Sequence, residues 1–171
     1  YGTGLNTFTL RGQHMKQLDW IAFFSQTGSE LFSIIQEIQC IPKIVVIHQN
    51  QQSRIVPRLL QVLQQYGCQV IEFSAKPTLS EYQSLPEAKM ITLHGWLRIV
   101  PAEFCNRTIY NGHPGNILTY PELKGKDPQA KAVALRHDVI GTVIHRVTPV
   151  VDDGEVVASA TCYNNSTDVG V

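Results

Sequence analysis

The chain has 171 residues, 43% of them hydrophobic and 16% charged, which places it among globular chains able to bury a core without disulfides or metal. Fourteen Lys and Arg balance fourteen Asp and Glu, so no net field draws it to nucleic acid or to a membrane surface. No apolar run approaches the roughly 18 residues of a membrane helix, and Cys40, Cys68, Cys105 and Cys162, with no C-x-x-C pair and no secretory signal in view, read as reduced thiols of a cytoplasmic protein, several of them buried.

Residues 1–14 show no clean periodicity and are read as an N-terminal arm or expression remnant, with residues 15–171 as one domain. Trp20-Ile21-Ala22-Phe23-Phe24 is a continuous apolar run, the pattern of a strand covered on both faces. Leu31, Ile34, Ile35 and Ile38 recur at i, i+3, i+4 and i+7, which predicts an amphipathic helix stopping before Pro42. Ile44–Ile47 is a second strand. Pro57 opens the next helix, whose Leu59, Leu60 and Leu63 share a face, and Gly67 closes it.

Val70–Phe73, Met90–Leu93 and Thr108–Tyr110 are further strands. Asp127-Pro128 reads as an N-cap followed by Pro at the first helical position, for a helix running to about Arg136. Val139–Val147 and Glu155–Cys162 are β-rich segments joined by the turn Asp152-Asp153-Gly154. Asn164-Asn165-Ser166-Thr167-Asp168 is turn chemistry of the kind that normally leads into another element, so the reading allows a missing C-terminal one. Strand–helix alternation closing in a hairpin predicts an α/β fold: an open, mostly parallel, Rossmann-like sheet with an antiparallel hairpin at its C-terminal edge.

In such sheets ligands collect beyond the carboxyl ends of the strands. Three polar loops fall there: Ser25–Glu30, His94–Arg98 and Asn111–Pro114. In the first, Gly28-Ser29 at a helix start offers free backbone N–H groups to a phosphate or carboxylate. Neither nucleotide fingerprint is present, however, and capping by Thr27 or Ser29 accounts for the pattern. Glu30 also places a carboxylate in the first turn, which satisfies the helix dipole and repels phosphate.

The third loop says more. Residues i and i+2 of an extended segment point the same way, so Asn111 and His113 can converge on one ligand. Gly112 removes bulk between them, and Pro114 biases His113 toward an extended conformation. An amide beside an imidazole is a reasonable oxyanion site whose imidazole can also move a proton. For an isolated N-x-H the plainer alternative is that both side chains satisfy turn backbone. Asp152, on the last turn, can reach back to orient His113, although turn Asp residues usually only form turns and spacing does not bring the two together.

The six histidines include no H-E-x-x-H and no Cys/His ligand spacing, so no metal is expected, and no G-x-S-x-G elbow is present. His145, inside a strand, reads as a satisfied strand histidine, Trp96 as core or a stacking wall, and Arg98 as half of a structural ion pair.

From about Lys16 to Cys162 the sequence resembles the folate-dependent formyltransferases, most closely the glycinamide ribonucleotide (phosphoribosylglycinamide) branch. The resemblance is carried by Gly28-Ser29, Gly95-Trp96-Leu97-Arg98-Ile99-Val100, Asn111-Gly112-His113-Pro114, Leu123-Lys124-Gly125, Gly141-Thr142-Val143-Ile144-His145 and Asp152-Asp153-Gly154, in shared order and spacing. It implies transfer of a formyl group from 10-formyltetrahydrofolate, as co-substrate and without metal, to a primary amine of a small phosphorylated acceptor such as glycinamide ribonucleotide, in purine biosynthesis.

On that resemblance Asn111, His113 and Asp152 are catalytic. Asn111 and His113 hold the developing oxyanion, while Asp152 orients His113 and helps relay the proton through water. Leu97, Arg98 and Val100 line the pteridine pocket, which backbone around Asp152 and Asp153 closes. Gly28 and Ser29 hold the acceptor's phosphate, and His145 is placed among the substrate-binding residues. The implied partners are folate and a small amine, with no nucleic acid or membrane and with a homodimer allowed.

Two departures lie on the acceptor side. Glu30 stands where the ribonucleotide enzymes carry Asn, and Gly115-Asn116-Ile117-Leu118 follows His113-Pro114 where they read Ser-Leu-Leu-Pro. An amino sugar nucleotide or another modified nucleotide is therefore an alternative acceptor. A non-catalytic folate- or nucleotide-binding module and a formyltetrahydrofolate hydrolase are the alternatives of other classes.

Overall fold

Apolar side chains on both faces of the first strand set the architecture. The computed structural model describes residues 15–164, so the arm read over residues 1–14 and most of the terminal turn lie outside the described residues. Strand β1 (Lys16–Phe24) ends in five buried residues, Trp20 to Phe24. Alternation sends Trp20, Ala22 and Phe24 to one face, where they pack with Leu31 and Ile35 of α1 (Ser29–Ile38) and with Leu59, Val62 and Leu63 of α2 (Pro57–Gln65). Ile21 and Phe23 point the other way, into a second cluster with Tyr82, Leu93, Trp96 and Phe104.

The remaining strands are β2 (Cys40–His48), β3 (Gln69–Phe73), β4 (Met90–His94), β5 (Ile109–His113), β6 (Val139–Arg146) and β7 (Val156–Tyr163), with helices α3 (Leu79–Gln83) and α4 (Pro128–Ala134). They form one seven-stranded sheet in the order β3-β2-β1-β4-β5-β6-β7. Pairing is parallel from β3 to β5 and antiparallel for β5–β6 and β6–β7. The fold is therefore the open, mostly parallel α/β sheet with an antiparallel edge. Chain order reverses at β1, between β2 and β4, which marks the switch point where such sheets bind ligands.

Two local readings change, while α1 stops before Pro42 as expected. Helix α1 ends at Ile38 because Gln39 takes a left-handed conformation, φ 54°, and Pro42 lies inside β2 opposite Leu18. The β1–β2 register is interrupted between Leu18 and Ile21, next to the position where proline supplies no ladder N–H. Helix α3 was not expected, since five residues are too few to show a helical period. It has a local signature instead: Thr78 and Glu81 form a reciprocal capping box. Asp127 does not cap α4. It sits at φ 54° with no side-chain cap bond, whereas capping needs an extended backbone at that position, and the helix stops at Ala134.

The loop after β1 is pinned by a buried glutamine that carries no motif. Gln51 Nε2 donates to the carbonyls of Phe24 (2.9 Å) and Gln26 (3.1 Å), while its Oε1 accepts from His48 N at 3.1 Å. Ser25 Oγ accepts from Leu97 N at 2.8 Å, joining this loop to the one after β4. Gly28 must be glycine on two counts. Its φ is 72°, and a Cβ there would lie 2.5 Å from Leu59 Cδ2. All four cysteines are free, and burial pushes the Cys68 thiol up to about 12. Replacing Gln51 by Ala is expected to cost about 1–3 kcal/mol, because the buried Phe24 carbonyl and the part-buried Gln26 carbonyl lose this donor; the urea unfolding midpoint measures it.

Candidate functional site

Pairing of β5 with β6 assembles the polar cluster. Asn111 and His113 are two apart on β5 and share a face, and the antiparallel register sets His145 directly opposite Asn111 and Val143 opposite His113. Asp152 enters from the turn between β6 and β7, at φ 53°, a left-handed conformation that Asp tolerates better than most residues. Its carboxylate lies between two imidazoles. Oδ2 is 3.5 Å from His113 Nδ1, and Oδ1 is 3.3 Å from His145 Nε2. All three residues are buried: Asp152 is 8% exposed, His113 5% and His145 2%.

Each ring spends its other nitrogen on a backbone carbonyl. His113 Nε2 donates to Leu123 O at 2.8 Å, and His145 Nδ1 donates to Arg146 O at 3.1 Å. A carbonyl can only accept, so both bonds fix where one proton sits. The nitrogen left on each ring is turned to the carboxylate, so a proton arriving there lies between two acceptors.

The segment Leu123-Lys124-Gly125 holds this cluster from outside. Beyond the Leu123 carbonyl, Gly125 N donates to Asp152 Oδ2 at 2.8 Å and Lys124 Nζ donates to Asp153 Oδ1 at 2.7 Å. The Lys124 ammonium also holds the Asp153 carboxyl below the ordinary carboxylate range. In sequence these three residues carried a resemblance and no role; only the fold shows them acting on consecutive partners.

A cleft of about 180 Å³ opens in front of the cluster, lined by Trp96, Arg98, Val100, Asn111, His145 and Asp152 among others. The Asn111 side chain has no hydrogen-bond partner among the described residues and faces this opening. At the rim Ile99, Val150 and Val151 are exposed, Ile99 at 86%. Trp96 is both core and wall, since its Nε1 donates to buried Tyr82 Oη at 3.0 Å while the residue borders the cleft. Arg98 makes no ion pair among the described residues; it donates to the carbonyls of Ala75 and Leu97, both at 2.9 Å.

The expected site residues are not all brought to one place. Arg98, Val100, Asn111, His145 and Asp152 line the cleft, whereas His113 stands behind Asp152 and turns Nε2 inward. His113 and His145 converge on Asp152. Leu97 and Asp153 are outside the lining. Gly28 and Ser29 lie on the far side of β5, the side of Glu30, whose Oε1 is 3.7 Å from where a Cβ on Gly112 would stand. Among the described residues no group of three or more His, Cys, Asp and Glu side chains could hold a metal, and no helix is long and apolar enough to cross a membrane.

Gly115 explains its own identity. A Cβ there would lie 2.8 Å from Pro128 Cβ and 3.1 Å from His113 Nε2. Gly115→Ala is expected to destabilise by about 1–3 kcal/mol as an overpacked site, read in urea melts, and to displace the His113 ring signals in NMR spectra.

No protein-family model matches the chain, and no curated protein matches it. Solved structures do. The phosphoribosylglycinamide formyltransferase from Anaplasma phagocytophilum superposes with a TM-score of 0.72 at 22% identity, over 91% of this chain and 76% of that one. The phosphoribosylglycinamide formyltransferase from Streptococcus pneumoniae TIGR4 gives 0.68 at 23% identity, over 90% of this chain and 86% of the other. Glycinamide ribonucleotide transformylase 1 from Symbiobacterium toebii gives 0.66 at 21%, over 88% and 74%. At these identities the likeness is one of architecture: the chain has the fold of the phosphoribosylglycinamide formyltransferases.

Proposed function

We propose that residues 15–171 act as one domain that transfers a formyl group from 10-formyltetrahydrofolate to the primary amine of a small acceptor. The observation that carries this reading is the unpartnered Asn111 carboxamide, opening into the cleft beside a buried carboxylate shared by two histidines. The shared fold with formyltransferases supports it.

The acceptor nitrogen attacks the formyl carbon, a new C–N bond forms, and the formyl oxygen gains negative charge. Asn111 Nδ2 donates to that oxygen as the charge develops, the moment at which a fixed dipole stabilises most. The proton released by the nitrogen passes, directly or through water, to the Asp152 cluster, where His145 is the ring that borders the cleft. Asp152 keeps both rings in place, and His113 acts behind it. Collapse of the oxyanion breaks the bond to N10 of the folate, which takes up a proton as it leaves.

Arg98 and Val100 with the Asp152 backbone form the wall for the pteridine, and Leu97 and Asp153 contribute from the rim. The exposed apolar rim residues suit a flat ring with polar edges. Gly28, Ser29 and His145 face the acceptor.

A glycinamide ribonucleotide-like acceptor is the first reading. An amino sugar nucleotide or another modified nucleotide is the second, favoured by the Glu30 carboxylate beside Gly112. An acceptor screen with 10-formyltetrahydrofolate, following the deformylated folate, tests both. Formate release without any acceptor at a catalytic rate would instead show a hydrolase, and saturable folate binding with no formyl loss across the panel a binding module.

Asn111→Ala is expected to lower turnover by about 10²–10³, the size of one lost oxyanion donor, and full activity in that variant removes Asn111 from the mechanism. Asp152→Asn is expected to lose most turnover while keeping its circular dichroism spectrum. Near-normal rates there would mean that the carboxylate takes no part.

A further inference from the structure

A second cavity, of about 490 Å³, lies between α4 and the β6–β7 hairpin. Ala132 and Val133 of α4, Ile140 of β6 and Ala160 of β7 give it apolar walls. None of the described residues that line it is charged, in contrast to the cleft with its Arg98, His145 and Asp152.

Asn116 borders this cavity and is 1% exposed. Its Oδ1 accepts from Thr119 N at 3.3 Å, which settles the orientation of the amide and turns Nδ2 the other way. That Nδ2 is buried and has no hydrogen-bond partner among the described residues. Native chains keep few buried donors without an acceptor, because each one is destabilising. Asn116 also belongs to the stretch Gly115-Asn116, where the chain departs from the formyltransferases it resembles, and transfer in the cleft gives it no role.

We propose that this cavity is a second ligand site, for a neutral, largely apolar molecule whose carbonyl-type acceptor is recognised by Asn116 Nδ2. Walls without charge disfavour phosphates and carboxylates, whose desolvation would go uncompensated. An apolar cavity of this volume with few polar groups is the usual form of a small-molecule site. The inference goes beyond formyl transfer and does not depend on it.

The same walls reach the Asp152 cluster. Leu123 O accepts from His113 Nε2 at 2.8 Å, and Thr142 Oγ1 donates to His113 O at 2.9 Å. A Cβ on Gly115 would stand 3.1 Å from His113 Nε2. An occupant that presses on these residues is therefore felt at His113, and by linkage a change at His113 alters the occupant's affinity.

The test titrates the full chain, followed by NMR, with benzophenone, a neutral two-ring ketone, and with diphenylmethane, which has the same rings and no acceptor. Benzophenone is expected to bind about 10-fold tighter, the worth of roughly one hydrogen bond, and to shift the Asn116 side-chain amide and the His113 ring signals. Asn116→Leu, close in volume but without a donor, is expected to bring the two probes to equal affinity. Equal affinity in wild type, or a preference for benzophenone that survives Asn116→Leu, overturns the inference.

Val133→Trp serves as a second variant, since Val133 is 64% exposed on α4 and a larger ring there fills the cavity without entering the core. It is expected to weaken both probes about 10-fold or more while leaving the urea midpoint unchanged. Undiminished binding in that variant places the probes elsewhere and overturns the inference. Absence of binding by either probe, the result if the end of the chain or a second copy fills the cavity, overturns it as well. His113 signals that stay still while Asn116 shifts overturn the link to the Asp152 cluster.

Discussion

The Asp152 carboxylate is the constraint on which the rest of the site depends, because a buried anion costs several kcal/mol unless its oxygens find partners. Here Gly125 N, His113 Nδ1 and His145 Nε2 all face it, at 2.8, 3.5 and 3.3 Å. Those groups come from three separate segments, and only Gly125 N donates to the carboxylate with the rings uncharged, so seating this one side chain fixes β5, β6, the turn between β6 and β7, and the segment before α4 relative to one another. The left-handed backbone of Asp152 and the Lys124–Asp153 bond follow from that docking. Register matters as much as proximity. A slip of one residue between β5 and β6 would exchange His145 for Ile144 and put an aliphatic chain beside the carboxylate.

Strand β5 divides the site into two sides with different chemistry. On one side Asn111 opens into the cleft, and His113 stands behind Asp152 with its Nδ1 3.5 Å from the carboxylate. Gly112 projects nothing toward the other side, and the space is bordered by Glu30, held through His94, Thr92 and Trp20. A reaction joining two substrates suits such an arrangement, since each can approach from its own side and meet at the strand end. Buried Gln51 supports this indirectly, by fixing the loop from which α1 and Glu30 start.

Elements with a strong apolar pattern could be read in advance. The run Trp20 to Phe24 is buried on both faces as its composition requires, and Pro57 and Gly67 bracket α2 as turn chemistry dictates. Helix α1 stops before Pro42 as expected, and Pro42 itself lies in β2 beside a register irregularity. Readings based on a single residue fared worse. Asp127 was read as a cap, but its backbone is left-handed. Helix α3 is too short for periodicity, and only its Thr78–Glu81 capping box announces it.

By itself the sequence determined which residues can do chemistry and at which ends of strands they fall. Local rules suffice for that: alternation puts Asn111 and His113 on one face, and a turn carries Asp152. Tertiary structure alone decided how they combine. His145, read from its strand position as a satisfied histidine, lines the cleft, while His113 is turned inward onto the Leu123 carbonyl. Gln51 and Gly125 each meet a partner 27 residues away, and Glu30 and His94 are 64 apart: distant in sequence, adjacent once the sheet forms. Sheet order and register set those meetings, and no local pattern encodes them, because each depends on strands far apart in the chain being hydrogen-bonded side by side.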